Sequence, residues 1–176
     1  TSAFKASEIV NIESLGKITN MGSSPNAYTG GVFQDCLMLK TVVLPNTLTE
    51  VDSYCFKNCS ALEEVLGLNS LSRIKGEAFY NCTSLEIEDL QLPNLTSLGQ
   101  NAFYGVKIKK MVLGSDGVAL TLPTGTSYTQ NFGDKSVLEE VVLPEGVTSI
   151  PDYAFNGYIS LGECNIPSTV SSIGTS

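Results

Sequence analysis

Apolar residues stand at fixed intervals along this chain, and the interval itself repeats. Phe33, Phe56, Phe79, Phe103, Phe132 and Phe155 are separated by 23, 23, 24, 29 and 23 residues. Leu39, Leu62, Leu85, Leu138 and Leu161 follow six residues after their phenylalanines, with Ile108 one residue early. Val42, Val65, Val141 and Cys164 come nine residues on, and Leu44, Leu143 and Ile166 eleven on. A proline often follows, as Pro45, Pro93, Pro144 and Pro167. Leu48, Leu71, Leu95, Val147 and Val170 come next, each trailed three residues later by Val51, Ile74, Leu98, Ile150 or Ile173.

The short V-x-L segment alternates inward and outward as a strand does. Proline after it ends the ladder, because it has no amide hydrogen to donate. Segments such as DSYCF and PDYAF are too short for a long helix and predict a helical or 3₁₀ turn on the convex side. One such unit cannot bury its apolar side alone, whereas stacked units cover each other. The period and the leucine positions therefore predict a leucine-rich-repeat solenoid, α/β in class and right-handed, with a parallel strand and a short turn per repeat of about 23 residues. A single domain of about six to seven coils is expected over residues 1–176. Val10, Ile12, Leu15 and Ile18 fit a degenerate first coil. Loop insertions are expected near 20–31 and 114–131, where MGSSPNAYTGG and GSDGVALTLPTGTSYTQN interrupt the period.

Composition narrows the function. The net charge of -8, from 18 acidic and 10 basic residues, lacks the basic footprint of a nucleic-acid binder and disfavours an anionic membrane surface. No apolar run is long enough to span a bilayer, and the first residues lack the apolar stretch of a signal peptide. The chain begins at Thr1 without Met, and its last coil stops at Ser176 without a polar cap. It reads as a piece of a longer protein, or as one whose end is frayed or covered by a partner.

Candidate chemistry is sparse. There is no histidine, which removes the usual general base and the commonest metal ligand. Cys36, Cys59 and Cys82 fall at one position of three adjacent coils and predict a buried column of small side chains. A disulfide within the column is the weaker alternative, and a metal site weaker still, since a line of residues is not a tetrahedron. Cys55 replaces the alanine seen at Ala78, Ala102 and Ala154, and Cys164 takes the Val42 position. Asn58 and Asn81, with Asp35 and Asp134 as relatives, are expected to bond backbone groups in the turn. Glu63–Glu64 and Glu139–Glu140 are adjacent pairs on different coils, not convergent acids. No nucleophile elbow, phosphate loop or dinucleotide fingerprint is present. The reading is a protein that is not an enzyme and carries no cofactor or metal.

The outward row of the sheet is the candidate binding face. By strand alternation it comprises Thr41 and Val43, Glu64 and Leu66, Asp89 and Gln91, Lys110 and Val112, Glu140 and Val142, and Glu163 and Asn165. Val43, Leu66, Val112 and Val142 form an apolar stripe among acids, the pattern that marks interaction surfaces. The insertion at 121–131 is a second candidate.

The lines CxxLxxVxLPxxLTxI and IxxxAFxNC, carried by Cys36, Leu39, Val42, Leu44, Pro45, Leu48 and Val51 and again by Phe56, Asn58, Cys59, Leu62 and Val65, resemble the BspA-like, or Treponema pallidum type, leucine-rich repeats. The resemblance runs from about Val10 to Ile173 and departs at Val106 and Lys135, which stand in the cysteine column. It implies a bacterial surface or secreted protein, extracellular in place, and an adhesion module for a host or bacterial protein or glycan. The alternative is a structural spacer within a larger surface protein.

Overall fold

The computed structural model describes residues 3–21, 30–125 and 131–175. Most of the first expected insertion, 22–29, and residues 126–130 of the second lie outside the described residues. In chain order the strands are β1 (Asn11–Ile12), β2 (Thr41–Val43), β3 (Glu50–Val51), β4 (Glu64–Leu66), β5 (Arg73–Ile74) and β6 (Glu86–Leu92). They continue as β7 (Ser97–Leu98), β8 (Lys107–Leu113), β9 (Glu140–Val142), β10 (Ser149–Ile150), β11 (Glu163–Cys164) and β12 (Ser172–Ile173). Every ladder is parallel, and each joins equivalent positions of successive coils, as in Val42 beside Val65 and Val51 beside Ile74. The chain is thus a right-handed parallel β-solenoid with a step of about 23 residues per coil.

Five coils contribute two strands each, while the coils of β1 and β8 have no second strand among the described residues. The first belongs to the principal face, where β1, β2 and β4 form one ladder and β6, β8, β9 and β11 another. The second makes a side ladder, β3 with β5 and β7, then β10 with β12. The sequence pattern shows this second ladder only as the paired apolar positions Leu48/Val51 and their repeats. The cause of its brevity is local: one apolar residue per coil, such as Val51 or Ile74, turns inward and the chain bends at once.

The core is a set of columns. Leu39, Leu62, Leu85 and Leu138 are buried, as are Val42, Met111 and Val141. The phenylalanines stack face to face, Phe33 on Phe56 at 5.4 Å, Phe56 on Phe79 at 5.2 Å and Phe79 on Phe103 at 5.5 Å between ring centres. Phe4 begins the stack, 5.3 Å from Phe33, so the first coil has its own phenylalanine, which the period alone does not reveal because 29 residues separate the two. The stack resumes at 5.0 Å between Phe132 and Phe155. Between these segments the second insertion intervenes, and Asn131, buried there, accepts the amide of Asn101 at 2.8 Å.

The convex turns are not helical. The one 3₁₀ turn among the described residues, Leu68–Ser70, follows β4 instead. Two residues of a turn take left-handed backbone, for example Tyr54 at φ 63° and Asn58 at φ 62°, then Glu77 at 55° and Asn81 at 62°. A right-handed helix cannot pass through such positions. The amides freed by this path point along the solenoid axis: Phe56 N donates to Ala78 O and Asn58 N to Tyr80 O, both at 2.8 Å. The amides that alternate with them stay within the turn, as Cys55 N to Asp52 O at 3.3 Å and Lys57 N to Tyr54 O at 3.1 Å, so hydrogen bonds alternate between the turn and the next coil.

Candidate functional site

The register places eleven of the twelve outward residues as strand alternation requires, with Asn165 just past the end of β11, and none of the twelve is buried. Thr41 lies beside Glu64 and Val43 beside Leu66. Asp89 lies beside Lys110, which lies beside Glu140, which lies beside Glu163. Gln91, Val112 and Val142 form the parallel line. Leu66 is the most open of the apolar members, with 49% of its surface exposed, while Val43, Val112 and Val142 are half-buried by their neighbours. Asn165 is different in kind. Its side chain accepts Leu143 N at 2.7 Å and donates to Leu143 O at 2.8 Å, extending the ladder beyond β11.

The row is not continuous, contrary to the expectation from the repeat. No ladder joins β4 to β6, so it falls into two blocks. The cause is a change of length. Phe56 and Val65 are nine residues apart, whereas Phe79 and Leu90, which takes the Val65 place in the next ladder, are eleven apart. The two extra residues lengthen β6 on its leading side. After β4, Gly67 takes φ 86° and the 3₁₀ turn Leu68–Ser70 begins, which bends the backbone away from a strand path. Between the two blocks lies an open cleft of about 400 Å³.

Charge on the face is arranged by coil-to-coil pairing. Lys110 Nζ is 2.9 Å from a Glu140 oxygen, Lys107 Nζ 2.5 Å from Glu86 and Lys109 Nζ 2.9 Å from Glu88. The hydrogen bond from Lys107 lowers the Glu86 carboxyl, and those accepted by Glu140 and Glu88 raise Lys110 and Lys109. These lysines are answered by carboxylates on the same face. Of the twelve residues, four are acids and one is a base, so the face retains the negative sign of the whole chain.

The cysteine column is core. All five cysteines are free thiols, and Cys36, Cys55, Cys59 and Cys82 are buried. Cys59 donates to Phe33 O and Cys82 to Phe56 O, each at 3.1 Å, so a thiol caps the preceding coil's carbonyl. Burial pushes Cys59 up to about 12 and raises Cys55 and Cys82 as well. Thiols held neutral in this way are poor nucleophiles and poor metal ligands. The asparagine column also has a structural reason: Asp35, Asn58 and Asn81 hold the left-handed position that Gly105 and Gly157 hold in other coils. Among the described residues no group of three or more Cys, Asp or Glu side chains could hold a metal ion. No helix among them is long and apolar enough to cross a membrane.

Sequence reasoning missed a buried charge on the side ladder. Lys75 Nζ lies 2.6 Å from both Glu50 Oε1 and Asp52 Oδ1, and Asp52 is buried. Only the lone Asp and Glu flanking Val51 could have signalled it.

A stack of short parallel strands, columns of leucine and phenylalanine, and an outward row of mixed polarity define a leucine-rich-repeat solenoid, a scaffold that displays a surface. The family model for the BspA type leucine-rich repeat region matches six copies over residues 1–121 and 126–176, and the chain belongs to that family. Its fold is similar to that of a Treponema pallidum leucine-rich-repeat protein, with TM-score 0.69 and 25% identity over 99% of this chain and 71% of that one. A leucine-rich-repeat protein of Bacteroides ovatus matches with TM-score 0.55 and 24% identity, over 94% of this chain and 47% of that one. The chain thus spans about seven tenths of the first and about half of the second. No curated protein matches it.

Proposed function

We propose that the chain is a cell-surface or secreted adhesion module that engages a protein or glycan of a host or another bacterium through the outward row of its principal face. One observation carries the reading: two blocks of outward side chains on strands, none of them buried, in which Leu66, Val43, Val112 and Val142 sit among Glu64, Asp89, Glu140 and Glu163. Apolar side chains rimmed by charge are the usual composition of a recognition surface. Strands hold such a row more firmly than loops would, which lowers the ordering cost of binding. The family supports a non-catalytic, partner-binding role.

The test is binding of the chain to a panel of extracellular-matrix proteins and glycans, beside a triple variant, Val43→Lys, Leu66→Lys and Val142→Lys. Saturable binding by the native chain that is lost in a folded triple variant is expected. A folded native chain that binds nothing on the panel would move the assignment to a structural spacer in a larger surface protein.

A further inference from the structure

We propose that the interruption between β4 and β6 is a docking cleft for an extended, lysine- or arginine-bearing peptide segment of a partner protein, taken up as an added strand. The inference rests on the adhesion reading and narrows it to a partner chemistry and a place.

The backbone supplies the first argument. Glu64 N donates to Lys40 O at 3.1 Å, and Leu66 O accepts Leu44 N at 3.0 Å, so both residues bond toward the preceding coil. In a parallel ladder alternate residues bond to opposite sides, which turns the N–H and C=O of Val65 into the cleft. On the far wall Leu92 O accepts Gly114 N at 2.8 Å, toward β8. The same alternation turns the backbone of Asp89 and Gln91 toward β4. Two strand edges of the same direction therefore face each other without a ladder between them. An unpaired strand edge is a template for another strand. Both edges lie within the body of the solenoid, and β4 is long enough for about three residues of an added strand.

The side chains supply the second argument, and they choose the occupant. Glu63, Glu64, Glu86 and Asp89 line the cleft with the apolar Leu66 and Ile87, and no lysine or arginine lines it. Lys40 reaches Glu63 at 3.3 Å and Lys107 reaches Glu86 at 2.5 Å from neighbouring coils. Glu64 and Asp89 stand one on each wall, and neither is in a salt bridge among the described residues; Asp89 Oδ1 accepts Gln91 Nε2 at 2.6 Å and has Lys110 beside it, so Glu64 and the second oxygen of Asp89 face a partner's cations. A strand alternating basic and aliphatic residues would set its charges against these carboxylates and its apolar side chains toward Ile87. An acidic strand would meet like charge on both walls.

The probe is a seven-residue peptide, acetyl-Thr-Lys-Val-Lys-Val-Lys-Thr-amide, titrated into the whole chain. Comparison peptides carry Glu in place of each Lys, or N-methyl groups on alternate backbone amides. Saturable binding is expected, weakened about ten-fold or more by either change. The amides of Val65 and Asp89 should gain protection from hydrogen exchange. Glu64→Lys with Asp89→Lys should weaken binding to a similar degree, while Glu13→Lys, exposed on the first coil and outside both the row and the cleft, should leave it within about two-fold. Absence of saturable binding overturns the proposal. So does binding indifferent to N-methylation, or protection that maps away from β4 and β6. If the matrix panel shows binding lost in the Val43/Leu66/Val142 variant while the peptide does not bind, the adhesion reading stands and the docking cleft falls.

Discussion

Asn58 Nδ2 donates to Asp35 Oδ1 at 2.8 Å, and both residues hold left-handed backbone, at φ 62° and 61°. Asn81 continues the file, donating to Asn58 Oδ1 at 3.3 Å. One position thus supplies a backbone conformation and a coil-to-coil hydrogen bond together. The two contributions can be separated. Asn58→Gly keeps the backbone easy and loses the side-chain bonds, so it should cost about 1 kcal/mol. Asn58→Ala loses both and should cost about 2–3 kcal/mol, since a left-handed conformation costs an L-residue about 1–2 kcal/mol. Urea titrations of the two variants check this, and an alanine variant as stable as the glycine one would contradict it.

The carboxylates around Lys75 tie stability to pH. Glu50 is lowered from its ordinary 4.5, chiefly by the hydrogen bond from Lys75. Lys75 is raised from its ordinary 10.5, first by Asp52 and then by Glu50. The Glu50 contribution is present above 4.5 and is lost as pH falls through its lower folded value. The Lys75 contribution is present below 10.5 and is lost as pH rises through its higher folded value. Lys75→Met should therefore destabilise at pH 7 by about 1–3 kcal/mol, less than for a fully enclosed pair because the ammonium is over a third exposed. Melting temperatures from pH 3 to 11 should show flatter acid and alkaline limbs in the variant. Parallel curves would remove the network from the account.

Thiol chemistry should separate Cys164 from the other four cysteines. It is half-buried at the last coils, whereas Cys36, Cys55, Cys59 and Cys82 are buried. Burial raises its thiol as well, but solvent reaches it. An aromatic disulfide reagent at pH 8 should titrate at most one thiol quickly in the native chain, and all five in guanidinium. Cys164→Ser should abolish the fast phase. Two or more fast thiols in the native chain would mean that the column is not packed as described.

What the sequence discloses follows from what sets each feature. Leu62, Phe56 and Val51 are legible because burial dictates residue type, and burial recurs with the coil. The turn conformation is not, because Tyr54 and Glu77 are not residues that favour left-handed backbone; bonds between coils, such as Tyr54 N to Gly76 O at 3.2 Å, impose it. In the row, the outward direction of Asp89 and Gln91 is legible because they flank the inward Leu90. The gap before them is not. Alternation fixes which way a side chain points, and it is silent on whether two backbones approach closely enough to pair. The two-residue excess between Phe79 and Leu90 was the available signal, and it reads equally well as a longer strand.

Phe79 tests how far a lesion spreads along such a stack. Its ring lies 5.2 Å from Phe56 and 5.5 Å from Phe103, and the side chain is fully buried. Phe79→Ala should cost about 3–5 kcal/mol from lost burial and the cavity left behind. Phe155 is only partly buried at the end of its stack, so Phe155→Ala should cost about half as much or less. Because each coil contacts only its neighbours, destabilisation at Phe79 should be local in its signature. Amide exchange should quicken first at Phe56 and Asn58, whose amides bond into the Phe79 coil, and at Phe79 and Asn81, whose amides bond into the next. The amides of Gly162 and Gly174, which bond Glu139 O and Ile150 O, should keep the exchange rates they have in the native chain. Equal acceleration at both ends of the chain would show one cooperative unit in place of a stack of coupled coils.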